Sequence, residues 1–477
     1  MKDKEDLSAL DCIPAALDGA QAARKDGLAA AAGTGTAARD DLPLPSRIPL
    51  LASIDALYPP DSLDAQRLRY GKLKNNFFRH FPDRQALSEP LFFSAPGRTE
   101  LCGNHTDHNN GRVLAAAISL DTIGATAPRS DTLVRIVSEG FGAFELDLAD
   151  LSVLPEEGGG SAAIVRGMAA GLAELAVRRG SMPQIQGFDA YIESKILPGS
   201  GLSSSAAFEV LIGGIFGVFS GNEISPMEIA RIGQFAENEY FGKPCGLMDQ
   251  MACALGGTTA IDFGEADRIK VELLRFDPGE YGLSLVIVAT GGSHADLTED
   301  YAAIPCEMKA VAALLGRSTL AGTSTDGLLA QAGEIRKSCG DRAFLRAWHF
   351  VKETERPAAL RNAIRKADIA AYLATICDSG NSSAKYLQNL YSPKNPSEQG
   401  LLIALAATED FLAGSGACRV HGGGFAGTIQ SYVPTSELQA YKTLMESLFG
   451  PSCVFPLRIR PFGVVCIENP QGAFDER

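Results

Sequence analysis

Apolar positions change their spacing several times along the chain, and each change predicts an element. Leu68, Tyr70, Leu73, Phe77, Phe78 and Phe81 form a loose helical stripe. Pro82 must end it, because proline pushes the residue before it out of helical geometry. The apolar runs at 91–95 (LFFSA), 112–120 (RVLAAAISL), 133–138 (LVRIVS) and 188–194 (FDAYIES) read as strands. Residues 162–180 read as a helix closed by Gly180. A second helix has a well-marked start. Ser225 can cap it, Pro226 suits the first turn, and Glu228 completes a capping box. Ile224 and Ile229 supply the hydrophobic staple, and the helix should run to about Phe241 with Gly242 as its stop. The second half opens on a buried-strand run at 283–292 (LSLVIVATGG). Helical patterns follow to about 415, then strand-like stretches near 417–433 and 463–468. Residues 1–62 differ, with the Ala/Gly-rich GLAAAAGTGTAARDDLPLP, and are expected to form a poorly ordered extension. The pattern is a mixed α+β chain in two lobes, 63–280 and 281–477, without the strand–helix alternation of a doubly wound sheet.

Composition narrows the function classes. The chain has 477 residues, with 43 Lys and Arg against 57 Asp and Glu, a formal charge of −14. Such acidity lacks the electrostatic footprint of a nucleic-acid or anionic-membrane binder. No stretch approaches the roughly 18 apolar residues of a membrane span. The first residues, MKDKEDLSALD, hold no apolar signal core, so the cytoplasm is the expected compartment. The 10 cysteines include no C-x-x-C pair, which argues against zinc-ribbon and thioredoxin-like chemistry. Buried reduced thiols are expected. Oligomeric state is not legible.

Candidate chemistry gathers in four segments. In 94–114 (SAPGRTELCGNHTDHNNGRVL), Arg98, Asn104, His105, Asp107 and His108 crowd what reads as a loop between apolar strands. Turns use Gly, Asn and Asp, but an Arg and two His are more than a turn needs. Such a set suits a polyhydroxylated ligand read through donors and acceptors; the alternative is a polar surface loop. In 197–210 (LPGSGLSSSAAFEV), small residues lead through three serines into an apolar helix. The start of that helix offers an anion site unless the serines merely cap it. There is no Walker-type G-x-x-x-x-G-K-[ST]. In 419–433 (RVHGGGFAGTIQSYV), Gly422, Gly424 and Gly427 formally fit G-x-G-x-x-G. A strand-like run follows where a dinucleotide fold needs a helix, so a tight inter-strand turn is predicted instead. In 236–257 (AENEYFGKPCGLMDQMACALGG), Glu237 and Glu239 oppose the dipole at a helix end. Either a bound cation or solvent can compensate them. Asp249, set among apolar residues, is either a hydrogen-bonded structural acid or a catalytic base.

In this order the segments resemble the galactokinase branch of the GHMP small-molecule kinases. APGRTELCGNHTDHNNGRVL resembles the signature GR-x-N-L-I-G-E-H-T-D-Y, LPGSGLSSSAA the phosphate-binding motif, and HGGGFAG the third, glycine-rich motif. AENEYFGKPCGLMDQ resembles the stretch carrying the Mg²⁺ ligand and catalytic acid. TEDYAAIPCEM (298–308) resembles the one ending in the sugar-contacting tyrosine and its helix. The likeness spans about Leu68 to Glu468. It implies a two-lobed fold, with an N-terminal α/β lobe containing a left-handed crossover, a ferredoxin-like C-terminal lobe and the active site between them. It also implies ATP-dependent phosphorylation of galactose, or a related sugar, at the anomeric hydroxyl, with Mg²⁺. By the same likeness Asp249 is the base on that hydroxyl and Arg98 its orienting partner. Ser205 and Glu237 are the Mg²⁺ ligands. Gly199, Ser200, Gly201, Leu202, Ser203 and Ser204 form the phosphate cradle, and Asn104, His105, Asp107 and Tyr301 contact the sugar. The chain departs from the pattern at Asn104, where the family has Glu near the sugar's sixth carbon, and at His108, where it has Tyr. Both suggest galacturonate as a variant substrate, with N-acetylgalactosamine and arabinose as further candidates. Ala426 replaces a Gly. The single Trp is Trp348, so no tryptophan lies around 162–165, where an adenine-side aromatic is common. A non-catalytic sugar- and ATP-binding sensor is the reading from another class; the intact Asp249, Arg98 and LPGSGLSSSAA argue against it.

Overall fold

The computed structural model describes residues 42–85, 89–196, 200–221, 223–243, 245–265, 268–291, 297–468 and 470. The apolar runs become a sheet containing β1 (Leu50–Leu51), β2 (Leu91–Cys102), β3 (Arg112–Pro128), β4 (Leu133–Ser138), β5 (Gly142–Asp147), β6 (Phe188–Ser194), β7 (Thr258–Asp262), β8 (Lys270–Leu274) and, returning from the C-terminal end, β13 (Val465–Ile467). Its order is β1-β13-β2-β3-β6-β4-β5, with β7 also on β3 and β8 beyond β7. The length of β3 allows this branching: residues 112–116 pair with β7 and residues 122–128 with β6. The sheet is covered on both faces, which explains why its strands read as continuous apolar runs. Phe93 faces helices α2 (Ser161–Arg178), α3 (Ser204–Phe219), α4 (Pro226–Phe235) and α5 (Met248–Leu255). Phe92 faces α1 (Leu63–His80), which buries Tyr70, Leu73 and Phe77 as the stripe predicts.

The extension expected over 1–62 is corrected where it is described; residues 1–41 lie outside the described residues. β1 pairs in parallel with β13, and Ile54, Leu57 and Tyr58 are buried with α1 residues. A charged hub ties these pieces together. Asp121 on β3 accepts from Arg69 of α1 at 2.6 Å, from Ser94 at 2.6 Å, from Arg460 at 3.0 Å and from the Tyr58 hydroxyl. Thus the apolar run near 463–468 closes the first sheet, beside β2, and not the second.

The second sheet contains β9 (Leu283–Ala289), β10 (Ala417–Val420), β11 (Thr428–Pro434) and β12 (Val454–Leu457), all antiparallel in the order β10-β11-β9-β12. Helices join β9 to β10, and Leu438–Phe449 joins β11 to β12. This is the strand order of a ferredoxin-like βαββαβ unit with an enlarged first helical connection. That connection includes α6 (Thr298–Leu314), α7 (Asp341–Glu353) and α8 (Ile369–Ser382). The fold is a two-lobed α+β architecture. Among the described residues no helix is long and apolar enough to cross a membrane, and the described cysteines are all free.

Candidate active site

Arg98 does not sit in the loop expected of it. It lies within β2, next to a register shift between Pro96 and Arg98, a bulge of the kind that re-aims a side chain. Its Nε and Nη2 donate to the two carboxylate oxygens of Asp249 at 2.8 and 2.7 Å. Nη1 donates to the Gly201 carbonyl, and the backbone N–H to the Leu202 carbonyl at 3.1 Å. Burial opposes the guanidinium charge, but Asp249 and Glu100 outweigh it and raise the Arg98 pKa. Ser203 stands at the N-cap of α3 in the left-handed conformation, φ 59°, and does not cap. Its hydroxyl donates instead to Asp249. Asp249, on the first turn of α5, keeps 34% of its side chain exposed. The acid, the cation and the exposed N-terminus of a helix therefore meet at one point. Ser200 is buried, and its carbonyl accepts from Thr428 at 2.9 Å, which brings the glycine-rich turn against this loop. Ser204 and Ser205 open α3, with Ser205 exposed. Gly199 lies outside the described residues.

The helix begun at Ser225 carries both hydrogen bonds of its capping box. It continues past α4 as a π-turn at Ala236–Phe241 and stops at Gly242, φ 85°. The π-turn separates the two acids: Glu237 is buried and Glu239 exposed. Gln250 Nε2 donates to Glu237 and to Glu209, at 2.9 Å each. Lys243 lies 3.5 Å from Glu237. Glu209, one turn beyond Ser205 on α3, is fully buried; burial and Glu237 push its carboxyl up to about 8. Its Oε1 has no hydrogen-bond partner. Among the described residues no three His, Cys, Asp or Glu side chains gather to hold a metal, and the oxygen donors that Glu237 and Ser205 offer are of the hard type Mg²⁺ prefers.

The loop at 103–111 faces the glycine-rich turn between β10 and β11. His105, held at φ 57°, donates from Nε2 to the Gly423 carbonyl at 3.1 Å. Burial and His108 bring its pKa to about 3, so the ring is neutral. The Tyr301 hydroxyl of α6 donates to the Gly424 carbonyl at 2.9 Å. An added Cβ on Gly423 would lie 2.4 Å from the Tyr301 ring, which is why this turn needs glycine. Asp107 is nearly buried, and its carboxylate fills the space where a Cβ on Gly246 would lie.

Asn104 departs from the expectation of a sugar contact. It is 1% exposed, and its amide donates to Gly422 at 2.7 Å and to Glu100 at 3.1 Å. Its Oδ1 accepts from Asn389 at 3.0 Å. Both ends are spent within the protein, because Glu100, itself paired with Arg419 at 2.6 Å, stands one strand-end away. His108 stays near Asp107 at 3.7 Å. Trp348 lies on α7, against Phe344. Sequence reasoning missed Glu209, Gln250, Glu100 and Arg419. Only Glu209 leaves a signal there, as one acid inside an apolar helix.

Comparison with known proteins bears on the family and the fold. Residues 163–257 match the family model for the GHMP kinases N terminal domain, and residues 75–128 that for the galactokinase galactose-binding signature. A galactokinase of Lactobacillus helveticus is 30% identical over 370 residues, covering 76% of this chain and 90% of that protein. One of Streptococcus suis is 29% identical, covering 74% and 87%. The structure of Lactococcus lactis galactokinase complexed with galactose superposes with a TM-score of 0.70 at 23% identity, over 83% of this chain and 99% of that one. Methanococcus jannaschii mevalonate kinase shares the fold at a TM-score of 0.54 and 15% identity, over 78% and 99%. The chain belongs to the galactokinase family of the GHMP kinases.

Proposed function

We propose that this protein transfers the terminal phosphoryl group of ATP to the anomeric hydroxyl of galactose. The observation that carries the reading is Asp249, gripped by Arg98 and Ser203 at the tip of α3. Phosphoryl transfer asks little covalent chemistry of the protein. It needs an aligned attacking oxygen and positive potential on the phosphates. The first N–H groups of α3 have no intrahelical partner, so the helix start at Ser203–Ser205 can bind an anion. Gly201, Leu202, Ser203 and Ser204 then cradle the phosphates, and Arg98 adds a fixed cation despite the chain's net charge of −14. Asp249 accepts the proton of the sugar hydroxyl, while Arg98 holds its carboxylate in one orientation. His105, Asp107 and Tyr301 frame the sugar. Ser205 and Glu237 would hold a Mg²⁺ ion, which would supply positive charge to neutralise the phosphates.

The active cleft lies between lobes divided near residue 281, with the returning C-terminal strand counted with the first. Asn104 lends galacturonate little support, since its amide is committed to Glu100 and Gly422 and not offered to a substrate anion. A coupled ADP-release assay over galactose, galacturonate, N-acetylgalactosamine and arabinose tests the reading. The highest kcat/KM belongs to galactose. Turnover of the uronate without turnover of galactose would replace it, and ADP release with none of them would favour the sensor.

A further inference from the structure

The sugar loop is held from behind by a group that none of its own motif residues supplies. At the C-terminal end of α7, in the second lobe, Glu353 is fully buried. Its Oε1 accepts from two consecutive backbone amides, Gly103 N–H at 3.0 Å and Asn104 N–H at 3.3 Å, and from the Ser379 hydroxyl of α8 at 2.6 Å. The Cys102 thiol lies 3.4 Å from the same oxygen. Oε2 pairs with Arg356 at 2.6 Å. One helical turn earlier His349 donates from Nε2 to the Asn104 carbonyl at 3.0 Å, and its Nδ1 accepts from Ser382 at 2.9 Å. Both the amide and the carbonyl of Asn104 are therefore fixed from α7, while its side chain is fixed by Glu100, Gly422 and Asn389.

What this clamp constrains is a backbone that no ordinary residue prefers. Gly103 has φ 102° and His105, a non-glycine residue, φ 57°. A left-handed non-glycine residue is strained and persists only where its surroundings over-determine it. Two amides converging on one charged carboxylate supply charge-assisted bonds of that kind. The pair of bonds reaches across the lobes, from helix α7 to the end of strand β2.

We propose that Glu353 is a positioning residue for sugar recognition: its buried carboxylate, with His349, sets the turn at 103–105 that presents His105 and Asp107. This rests on reading the loop at 103–111 as sugar-binding. The test is Glu353→Gln, which keeps the shape and removes the charge. Its KM for galactose rises at least tenfold while its KM for ATP stays within twofold. Amide hydrogen exchange in a peptide spanning 99–111 of the ligand-free protein accelerates, with the peptide spanning 204–219 unchanged. A structural role alone would lower the melting temperature and the active fraction but leave both KM values in place, and that result would overturn the proposal. If Glu353→Gln does not fold, His349→Ala and His349→Gln decide. The glutamine can still donate to the Asn104 carbonyl, so it retains the low galactose KM that the alanine loses; equal KM values in the two variants would overturn the proposal. If the parent protein phosphorylates no galactose, the proposed substrate falls, and the exchange comparison still decides the role of Glu353.

Discussion

Replacing Asp249 by Asn separates the chemistry at the cleft from its architecture. Asparagine has the same shape, but it carries one acceptor oxygen in place of two and adds an amide NH₂. In the native site three donors converge on the carboxylate: Arg98 Nε at 2.8 Å, Arg98 Nη2 at 2.7 Å and the Ser203 hydroxyl. In the variant at least one donor meets another donor. An unsatisfied buried donor costs about 1–3 kcal/mol. With Asp249 34% exposed, water can replace part of the lost bond, so the low end, about 1 kcal/mol, applies to stability. The kinetic effect is larger. A general base is worth about 10²–10⁴-fold, or ~2.7–5.4 kcal/mol of barrier. The assay pairs coupled ADP release with calorimetric titration of galactose. The expected result is a kcat reduced by at least ~100-fold, with galactose affinity changed by no more than about threefold, the signature of an interaction made only in the transition state. A folded Asp249→Asn protein that retains a tenth of the parental kcat would refute the assignment of Asp249 as base.

Other consequences concern the metal, the acid limit and the glycine-rich turn. Glu237→Gln raises the Mg²⁺ concentration needed for half-maximal rate and weakens Mn²⁺ binding measured by paramagnetic resonance; an unchanged metal titration would remove Glu237 from the ligand set. Three imidazoles, the buried His349 and His421 and the part-buried His105, have pKa values lowered first of all by loss of solvation, that of His105 to about 3. The fold favours their neutral forms. The stabilisation is therefore complete above the unfolded value of 6.5 and is lost as pH falls below it. His105 alone gives up ~2 kcal/mol between about pH 6.5 and 5. Melting temperature should drop by several degrees over that interval, and a flat profile would contradict these neutral rings. Gly423→Ala drives a methyl to within 2.4 Å of the Tyr301 ring, which packs edge-on against Phe425 at 5.4 Å. Overpacking of this kind costs about 1–3 kcal/mol, and a raised galactose KM should accompany it; unchanged stability and KM would show that the ring moves freely.

Local chemistry was legible where it is written in neighbouring residues. The capping box at Ser225 and Glu228, the stop at Gly242, and the strands at 133–138 and 188–194 all depend on side chains within a few positions of one another. The convergence of Arg98, Ser203 and Asp249 was legible only through the likeness of four separated motifs, because periodicity carries no information on which segments meet. Long-range pairing stayed hidden. Nothing in the short run at 50–58 announces that it packs under α1, and nothing in 463–468 tells which sheet that strand will join. Backbone hydrogen bonds decide both, helped by the Asp121 hub, in which Asp121 reaches Arg460 339 residues away. Asn104 misled for a related reason. Read alone, its amide looks available to a ligand, but Glu100, four residues earlier, consumes it, and Arg419 holds Glu100 there. The grip of Glu353 on the loop left no local mark, since the backbone amides it holds lie 250 and 249 residues away.

The position of the phosphate in the product tests the account most directly. Galactose and ATP are incubated with the protein, and the sugar phosphate is examined by phosphorus and carbon magnetic resonance. Coupling of phosphorus to the anomeric carbon, giving galactose 1-phosphate, is the predicted result. Phosphate found on any other carbon would contradict the placement of the anomeric hydroxyl at Asp249.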